Sequence, residues 1–206
     1  QKRDWKMMNQ TFDKALSIDP DKKILDQPKT VKEFVDLAQT QFWGEEYNKG
    51  IAQYKLYLKS NSDVKDSILQ TAINLFITAS EIKPNEAQSY AMLSASYFNA
   101  GDAVKSEKNI LKAVELSPDD AGNNLTAGKI FMFKQDFESA LPYINKSVEL
   151  DPSNTEAIRN LAQIYYDTGN MEKSIETYED AISKETDRKQ KSDLYFNLGI
   201  LYNKVD

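Results

Sequence analysis

The sequence predicts an all-α protein built from repeated pairs of helices. Three observations predict this fold class: an internal repeat, apolar residues at helical spacing, and a shortage of turn-forming residues. Pro84, Pro118 and Pro152 follow one another at 34-residue intervals. Only 7 Gly and 6 Pro occur among 206 residues, which leaves few positions for the many turns of a β protein.

The repeat extends well beyond the prolines. Five further columns keep the same 34-residue spacing through three consecutive units, and four of them hold either large or small side chains throughout. These columns are Leu93, Ala127 and Leu161; Tyr97, Phe131 and Tyr165; Ser106, Ala140 and Ser174; Ile110, Ile144 and Tyr178; and Ala113, Ser147 and Ala181. Six columns in phase indicate one structural unit repeated three times over residues 84–186.

Each unit is predicted to contain two helices. In the first unit, Tyr90, Leu93 and Tyr97 recur at helical spacing, and a break follows them. Asp102 is placed to cap a second helix that ends before Pro118. The next two units break in the same way, so the pattern predicts six helices in this region.

Two local features refine the later units. Ser153 and Glu156 have the spacing of a capping box, which predicts that a first helix starts at Ser153. Pro142 lies in the first half of a second helix, where it is expected to bend that helix rather than end it.

The flanking regions are less regular. Residues 1–83 are predicted to form irregular repeat-like helices, with separate helices over 30–43, 44–60 and 64–82. Residues 187–206 are expected to form the first helix of a further, truncated repeat. Before this helix the register gains three residues, at Glu185–Lys191.

The motifs resemble those of the tetratricopeptide repeat (TPR) family. The first half of the TPR signature is matched by Tyr195, Leu198, Gly199 and Tyr202, and the second half by Ala72, Phe76, Ala79 and Pro84. The resemblance implies a right-handed α-solenoid of helix-turn-helix repeats. It also implies a concave groove, lined by the first helices, that binds a protein or peptide.

The resemblance assigns groove positions residue by residue. The partner-binding residues expected from it are Phe98, Lys129, Met132, Phe133, Arg159, Asn160, Gln163 and Tyr166. Phe98, Met132 and Tyr166 recur at the repeat spacing and are expected to form an exposed ladder. Some family members clamp the C-terminal carboxylate of heat-shock chaperones. At the matching positions Glu156 and Asp193 would repel a carboxylate, so we do not expect that activity here.

Composition excludes several other functions. The chain has no Cys and no His, which removes thiol and histidine catalysis and the usual zinc ligands. No glycine-rich phosphate loop is present, so we expect no enzymatic activity, no cofactor and no metal. A formal net charge of −6 argues against nucleic acid, including RNA-binding helical repeats. No apolar stretch is long enough for membrane insertion.

The expected function is therefore that of a non-enzymatic scaffold. The alternative is a regulatory or targeting domain of a longer enzyme or sensor protein. Because the helix over residues 192–204 lacks a second helix, we expect self-association through a surface of Leu198, Leu201 and Val205. The composition suggests a bacterial source and leaves cytoplasm and periplasm open.

Overall fold

The computed structural model describes residues 4–24, 30–61 and 63–205, without the side chains of residues 204 and 205. Within these residues it contains ten α-helices and no β-strand, which confirms the all-α prediction. The helices are α1 Trp5–Ile18, α2 Val31–Lys59, α3 Lys65–Ile82, α4 Ala87–Asn99, α5 Ala103–Leu116, α6 Ala121–Phe133, α7 Phe137–Leu150, α8 Thr155–Asp167, α9 Met171–Lys184 and α10 Arg188–Val205.

The chain divides into two compact units. Unit 1 is Gln1–Leu116 and contains α1 to α5, and unit 2 is Ser117–Asp206 and contains α6 to α10. In unit 1, α2 packs on α3, α3 on α4, and α4 on α5. In unit 2 each helix packs on the next, and α8 also contacts α6 and α10. The first helices of unit 2, which are α6, α8 and α10, are therefore neighbours.

Side-chain caps begin most of the paired helices. Asp102 accepts a hydrogen bond from the backbone N–H of Lys105 at 3.0 Å, which confirms the predicted cap of α5. Asp120, Asp136, Asn154 and Asn170 cap the four following helices in the same manner. These caps satisfy backbone donors that the first turn of a helix leaves unpaired.

The predicted cap at Ser153 is wrong. Asn154 caps α8 instead, because its side-chain oxygen accepts from the N–H groups of Glu156 and Ala157, both at 3.1 Å. The Ser153 hydroxyl donates to the Asp151 carboxylate at 2.7 Å and is engaged in the preceding turn. Asn and Ser are equally good caps, so sequence alone does not choose between adjacent candidates.

The predicted division of residues 30–60 into two helices is also wrong. Residues 31–59 form the single helix α2, which passes through Gly44 without a break. A lone glycine inside a helix costs only about 1 kcal/mol, and tertiary packing outweighs that cost. The first half of α2 packs on α1, where the Phe42 and Trp5 rings lie 5.4 Å apart. The second half pairs with α3, where Tyr57 joins the core of unit 1.

Helix α7 continues through Pro142, as predicted. The three-residue gain in register before α10 is also accounted for. With the gain included, Ser192 is the counterpart of Thr155, the first residue of α8. Because α10 begins at Arg188, the extra residues add about one turn at its start. Asp187 caps this turn by accepting from the N–H groups of Lys189 and Gln190 at 2.9 Å.

Small residues set the close approach of the paired helices. A Cβ atom on Gly128 of α6 would lie 2.4 Å from Ile144 Cδ1 of α7. One repeat later, the Ser174 hydroxyl of α9 donates to the backbone carbonyl of Ala162 in α8 at 2.7 Å. A second helix therefore lies against the backbone of its first helix, which a larger side chain at position 128 or 162 would prevent.

The turns between paired helices share one backbone conformation. Gly101, Gln135 and Gly169 are spaced by 34 residues and have φ angles of 78°, 60° and 78°. A residue with a Cβ atom is strained in this left-handed region, whereas glycine is not. Gln135 is therefore the strained member of the set.

We expect Gly128→Ala to destabilise the protein by about 1–3 kcal/mol, because the new methyl group overlaps the fully buried Ile144. Gly199→Ala is the matched control, since Gly199 has the same place in its repeat but nothing within 4 Å of a Cβ. It should stabilise α10 by about 0.5–1 kcal/mol. Urea unfolding of both variants measures the difference, and equal gains at the two sites would contradict the close packing.

We expect Gln135→Gly to raise the free energy of unfolding by about 0.5–1 kcal/mol, because relief of the left-handed strain exceeds the entropy that glycine adds to the unfolded chain. Gln135→Ala retains the Cβ atom and should bring no gain. Urea unfolding of the two variants decides the point. A gain from alanine that matches the gain from glycine would show that backbone strain is not the cause.

Candidate functional site

The first helices of unit 2 leave one side uncovered. Their other sides pack against α7 and α9, and α8 lies beside both α6 and α10. We call the uncovered side of α6, α8 and α10 the first-helix face. Seven of the eight predicted groove residues lie on α6 and α8 of this unit.

The α6 part of the face combines one cation with apolar side chains. Lys129 and Phe133 are exposed, the latter with 68% of its surface accessible, and Met132 is half-buried. Lys129 Nζ lies 2.5 Å from Glu156 Oε1 on α8, so the two predicted groove helices are joined by an ion pair. Both side chains are about half exposed, and such pairs contribute little to stability.

The α8 part of the face is mostly polar. Arg159 is exposed, and Gln163 Nε2 donates to Asp167 Oδ1 at 2.7 Å. Tyr166 is half-buried and packs against the core that α8 shares with α9 and α10. A peptide backbone has both donors and acceptors, and this strip offers groups that complement both.

Asn160 is the one residue of the described face with a buried, unused donor. Its side-chain nitrogen is inaccessible to solvent and has no hydrogen-bond partner among the described residues. Buried polar groups are nearly always paired, because an unpaired one costs about 1–3 kcal/mol. An acceptor from another molecule would pair with this donor once the Asn160 side chain turns toward the exposed face.

Arg159 carries an uncommitted positive charge. Among the described side chains it forms no ion pair, whereas Lys129 is paired with Glu156. Its charge reaches the buried Tyr178 hydroxyl on α9: burial raises the pKa of Tyr178, and the nearby Arg159 guanidinium opposes that rise. The exposed Arg159 side chain thus places a positive charge at the surface near the buried residues of unit 2.

The expectation that Leu198 and Leu201 form an uncovered apolar surface on α10 is wrong. Leu198 and Leu201 are buried, with 8% and 6% of their surfaces accessible, in a core that includes Ile158 and Tyr178. The side chain of Val205 lies outside the described residues. Because α10 is apolar around most of its circumference, the periodicity did not identify which side packs inward.

Two other sides of α10 are exposed. Tyr195, Gly199 and Tyr202 form one stripe, which we call the open pair face because it corresponds to the sides of α6 and α8 that pack on a second helix. Phe196 and Ile200, with 70% and 42% of their surfaces accessible, lie on the first-helix face.

The sequence analysis did not assign Phe196 and Ile200 to the partner-binding groove. They follow Arg159 and Gln163 by one repeat plus the three-residue gain before α10. Correcting the register for that gain would have identified them.

The remaining predicted groove residue, Phe98, lies on α4 in unit 1 and is 45% exposed. Its neighbour Asn99 is engaged within that unit, where Nδ2 donates to the Tyr54 hydroxyl at 2.9 Å and Oδ1 accepts from Tyr57 at 3.3 Å. The ladder of Phe98, Met132 and Tyr166 draws on both units and stays a prediction.

The described part of the chain contains neither a cluster of metal ligands nor a membrane-spanning helix. No three acidic side chains among them are grouped closely enough to hold a metal ion. None of the helices in the described part of the chain combines the length and apolar character needed to cross a membrane.

Comparison with known proteins identifies the family. Residues 87–120 and 134–194 each match a family model described as tetratricopeptide repeat. These two segments carry tetratricopeptide repeats, which confirms the family resemblance that the sequence motifs predicted. The matched segments include the α4–α5 pair of unit 1 and, in unit 2, α7 to α9 and the start of α10.

Individual proteins show the same likeness. Human mitochondrial import receptor subunit TOM70 is 26% identical over 143 residues, which are 69% of this chain but only 24% of the receptor. The crystal structure of YrrB, a TPR protein with an unusual peptide-binding site, has a TM-score of 0.61 at 16% identity and covers 94% of this chain and 82% of its own.

A third comparison is with the first TPR of Spaghetti (RPAP3) bound to the HSP90 peptide SRMEEVD. Its TM-score is 0.55 at 19% identity, with 63% of this chain and 94% of that chain covered. At these identities the structural matches establish a shared fold.

Proposed function

We propose that this chain is a protein-interaction scaffold and that unit 2 binds an extended peptide segment along its first-helix face. The buried, unpartnered Asn160 amide carries the proposal. A peptide carbonyl is the acceptor that such a donor lacks, and an extended peptide presents carbonyls that its own chain does not satisfy.

The apolar residues beside Asn160 support the same function. Phe196 and Ile200 expose apolar surface on α10, and Phe133 exposes it on α6. Phe196 and Ile200, four residues apart on one side of α10, form an exposed apolar pair of the kind found at binding sites. Aromatic and arginine side chains are also the usual anchors of protein interfaces, and the first-helix face carries Arg159 in addition to these apolar residues.

The relatives support a peptide or protein as the ligand. RPAP3 has this fold and holds an HSP90 peptide, and YrrB is described by its peptide-binding site. TOM70 is an import receptor subunit. These properties belong to those proteins and make peptide binding a natural expectation for a chain with the same repeats.

We do not extend the proposal to clamping of a terminal chaperone carboxylate. The Lys129 charge is already paired with Glu156, and Asp193 is exposed on α10 at a matching position. Nor does the proposal give a catalytic role to any residue, because the face contains hydrogen-bonding and apolar groups without a nucleophile paired to a base.

We expect Asn160→Ala to weaken peptide binding about tenfold, equivalent to about 1.4 kcal/mol, while changing the free energy of unfolding by less than about 1 kcal/mol. Removal of an unused donor costs the fold no hydrogen bond. The measurement uses peptides selected from a displayed random library against the whole chain, followed by fluorescence anisotropy and urea unfolding. Glu179→Ala, on the exposed side of α9, is the control variant.

Two results would contradict this proposal. One is a library that yields no peptide binding the chain. The other is a peptide whose affinity falls with Glu179→Ala but is unaffected by Asn160→Ala and Arg159→Ala, since that pattern would place binding on the second helices.

The open pair face supports a second, separate proposal: self-association through α10. Tyr195 and Tyr202 are each about half exposed, and a Cβ on Gly199 would meet nothing within 4 Å. On α6 and α8 the corresponding side is covered by a second helix, so this face is shaped to accept a helix. A helix supplied by another copy would satisfy it.

We expect sedimentation equilibrium to show association of the chain that the double variant Tyr195→Lys, Tyr202→Lys weakens at least tenfold, because two charges would have to be desolvated. Phe196→Lys adds a charge to the other exposed side of α10 and should leave association unchanged. A chain that is monomeric at all concentrations, or one that only Phe196→Lys dissociates, would show that this face does not mediate association.

A further inference from the structure

We infer that the first-helix face of unit 2 is selective for an extended segment in which a large apolar side chain and a carboxylate lie two residues apart. This inference rests on the proposed peptide-binding function and specifies its ligand. Three features of α8 and α10 carry it: an apolar pair, an uncommitted cation, and a buried donor beside that cation.

The apolar pair is Phe196 and Ile200. The two residues are four apart on α10, so they share one side of the helix, and they are 70% and 42% exposed. The corresponding residues of α8 are Arg159 and Gln163, which are polar. An apolar side chain of a ligand is therefore best accommodated at the α10 end of this strip rather than over α8.

The cation is Arg159. Lys129 is neutralised by Glu156, so Arg159 is the charge on the described face that is free to pair with a ligand. An arginine and a carboxylate form two parallel hydrogen bonds, which makes a carboxylate the ligand group that gains most here. Asp193, exposed on the first turns of α10, repels a carboxylate and confines it to the α8 side.

The donor is the Asn160 side-chain nitrogen, next to Arg159 in sequence and buried without a partner among the described residues. A backbone carbonyl of the ligand would satisfy it once the Asn160 side chain turns outward. This hydrogen bond fixes the register of the ligand, so that the apolar and acidic side chains are held at set positions along the strip rather than free to slide.

The spacing follows from helix and strand geometry. Packed helices lie about 8–10 Å apart, and an extended chain advances about 3.3 Å per residue with its side chains on alternate sides. Side chains two residues apart therefore point the same way and lie about 7 Å from each other. The long Arg159 side chain covers the remaining distance between α8 and α10. Adjacent residues point to opposite sides, and residues four apart are about 13 Å distant.

The test uses synthetic nine-residue peptides of Ser, Thr and Gly that contain one Phe and one Asp. In the probe peptides the two residues are separated by one position, in either order. In the control peptides they are adjacent, so composition and net charge are identical. Fluorescence anisotropy with the whole chain should show that one order of the probe binds at least tenfold more tightly than the adjacent controls. Replacing Asp with Asn in that probe peptide should weaken its binding at least tenfold.

Variants of the chain locate the two contacts. Phe196→Ala and Arg159→Ala should each weaken binding of the probe at least tenfold. Their controls are Val104→Ala, an exposed apolar residue on α5, and Arg188→Ala, the exposed arginine at the start of α10. Neither control should change the affinity. Arg159→Glu should reverse the preference, so that a Phe-x-Lys peptide binds better than Phe-x-Asp.

The outcomes separate this inference from the function on which it rests. Library peptides that bind through Asn160 but show no preference for an apolar residue two positions from a carboxylate would overturn the inference and leave peptide binding intact. The absence of any bound library peptide would overturn both. Unchanged preference in Arg159→Glu would also overturn the inference, because a carboxylate would then be recognised elsewhere.

Discussion

The close approach of two helices at a small residue is the constraint on which this structure depends. In unit 2 the backbone of α6 at Gly128 lies directly beneath Ile144, and that of α8 at Ala162 accepts a hydrogen bond from Ser174. Helices α6 and α8 thereby each commit one side to the second helix that follows. The opposite side stays uncovered, so most of its side chains are free to be chosen for binding.

The composition of the free side departs from what stability alone would favour. A fold optimised for stability would neither leave the Asn160 donor unpaired nor expose a ring such as Phe196 to water. Both occur on the first-helix face of unit 2. Local departures of this kind are expected where a surface awaits a ligand, because the ligand supplies the missing contacts.

The sequence predicted much of the fold because the repeat makes its signals redundant. Six aligned columns indicate a helix pair even where one position, such as Ala127 between Leu93 and Leu161, departs from the pattern. Single signals were less reliable. Gly44 did not interrupt α2, and Asn154 rather than Ser153 capped α8, since local propensities of about 1 kcal/mol are decided by tertiary contacts.

The site was predicted less completely for a different physical reason. Family positions located Arg159 and Asn160, but whether a donor is satisfied depends on neighbours that only the folded chain brings together. On α10, apolar residues surround the helix, so periodicity could not separate the buried Leu198 from the exposed Phe196. The three-residue gain in register before this helix concealed the correspondence further.

The most direct test of the central claim is methyl NMR of the whole chain during titration with a library-selected peptide. Ile200 and Met132 report on the first-helix face, and Met171 and Ile175 report on α9. We expect the resonances of Ile200 and Met132 to shift and to saturate with the binding curve, while those of Met171 and Ile175 stay unchanged. Saturating shifts confined to the α9 methyl groups would contradict it.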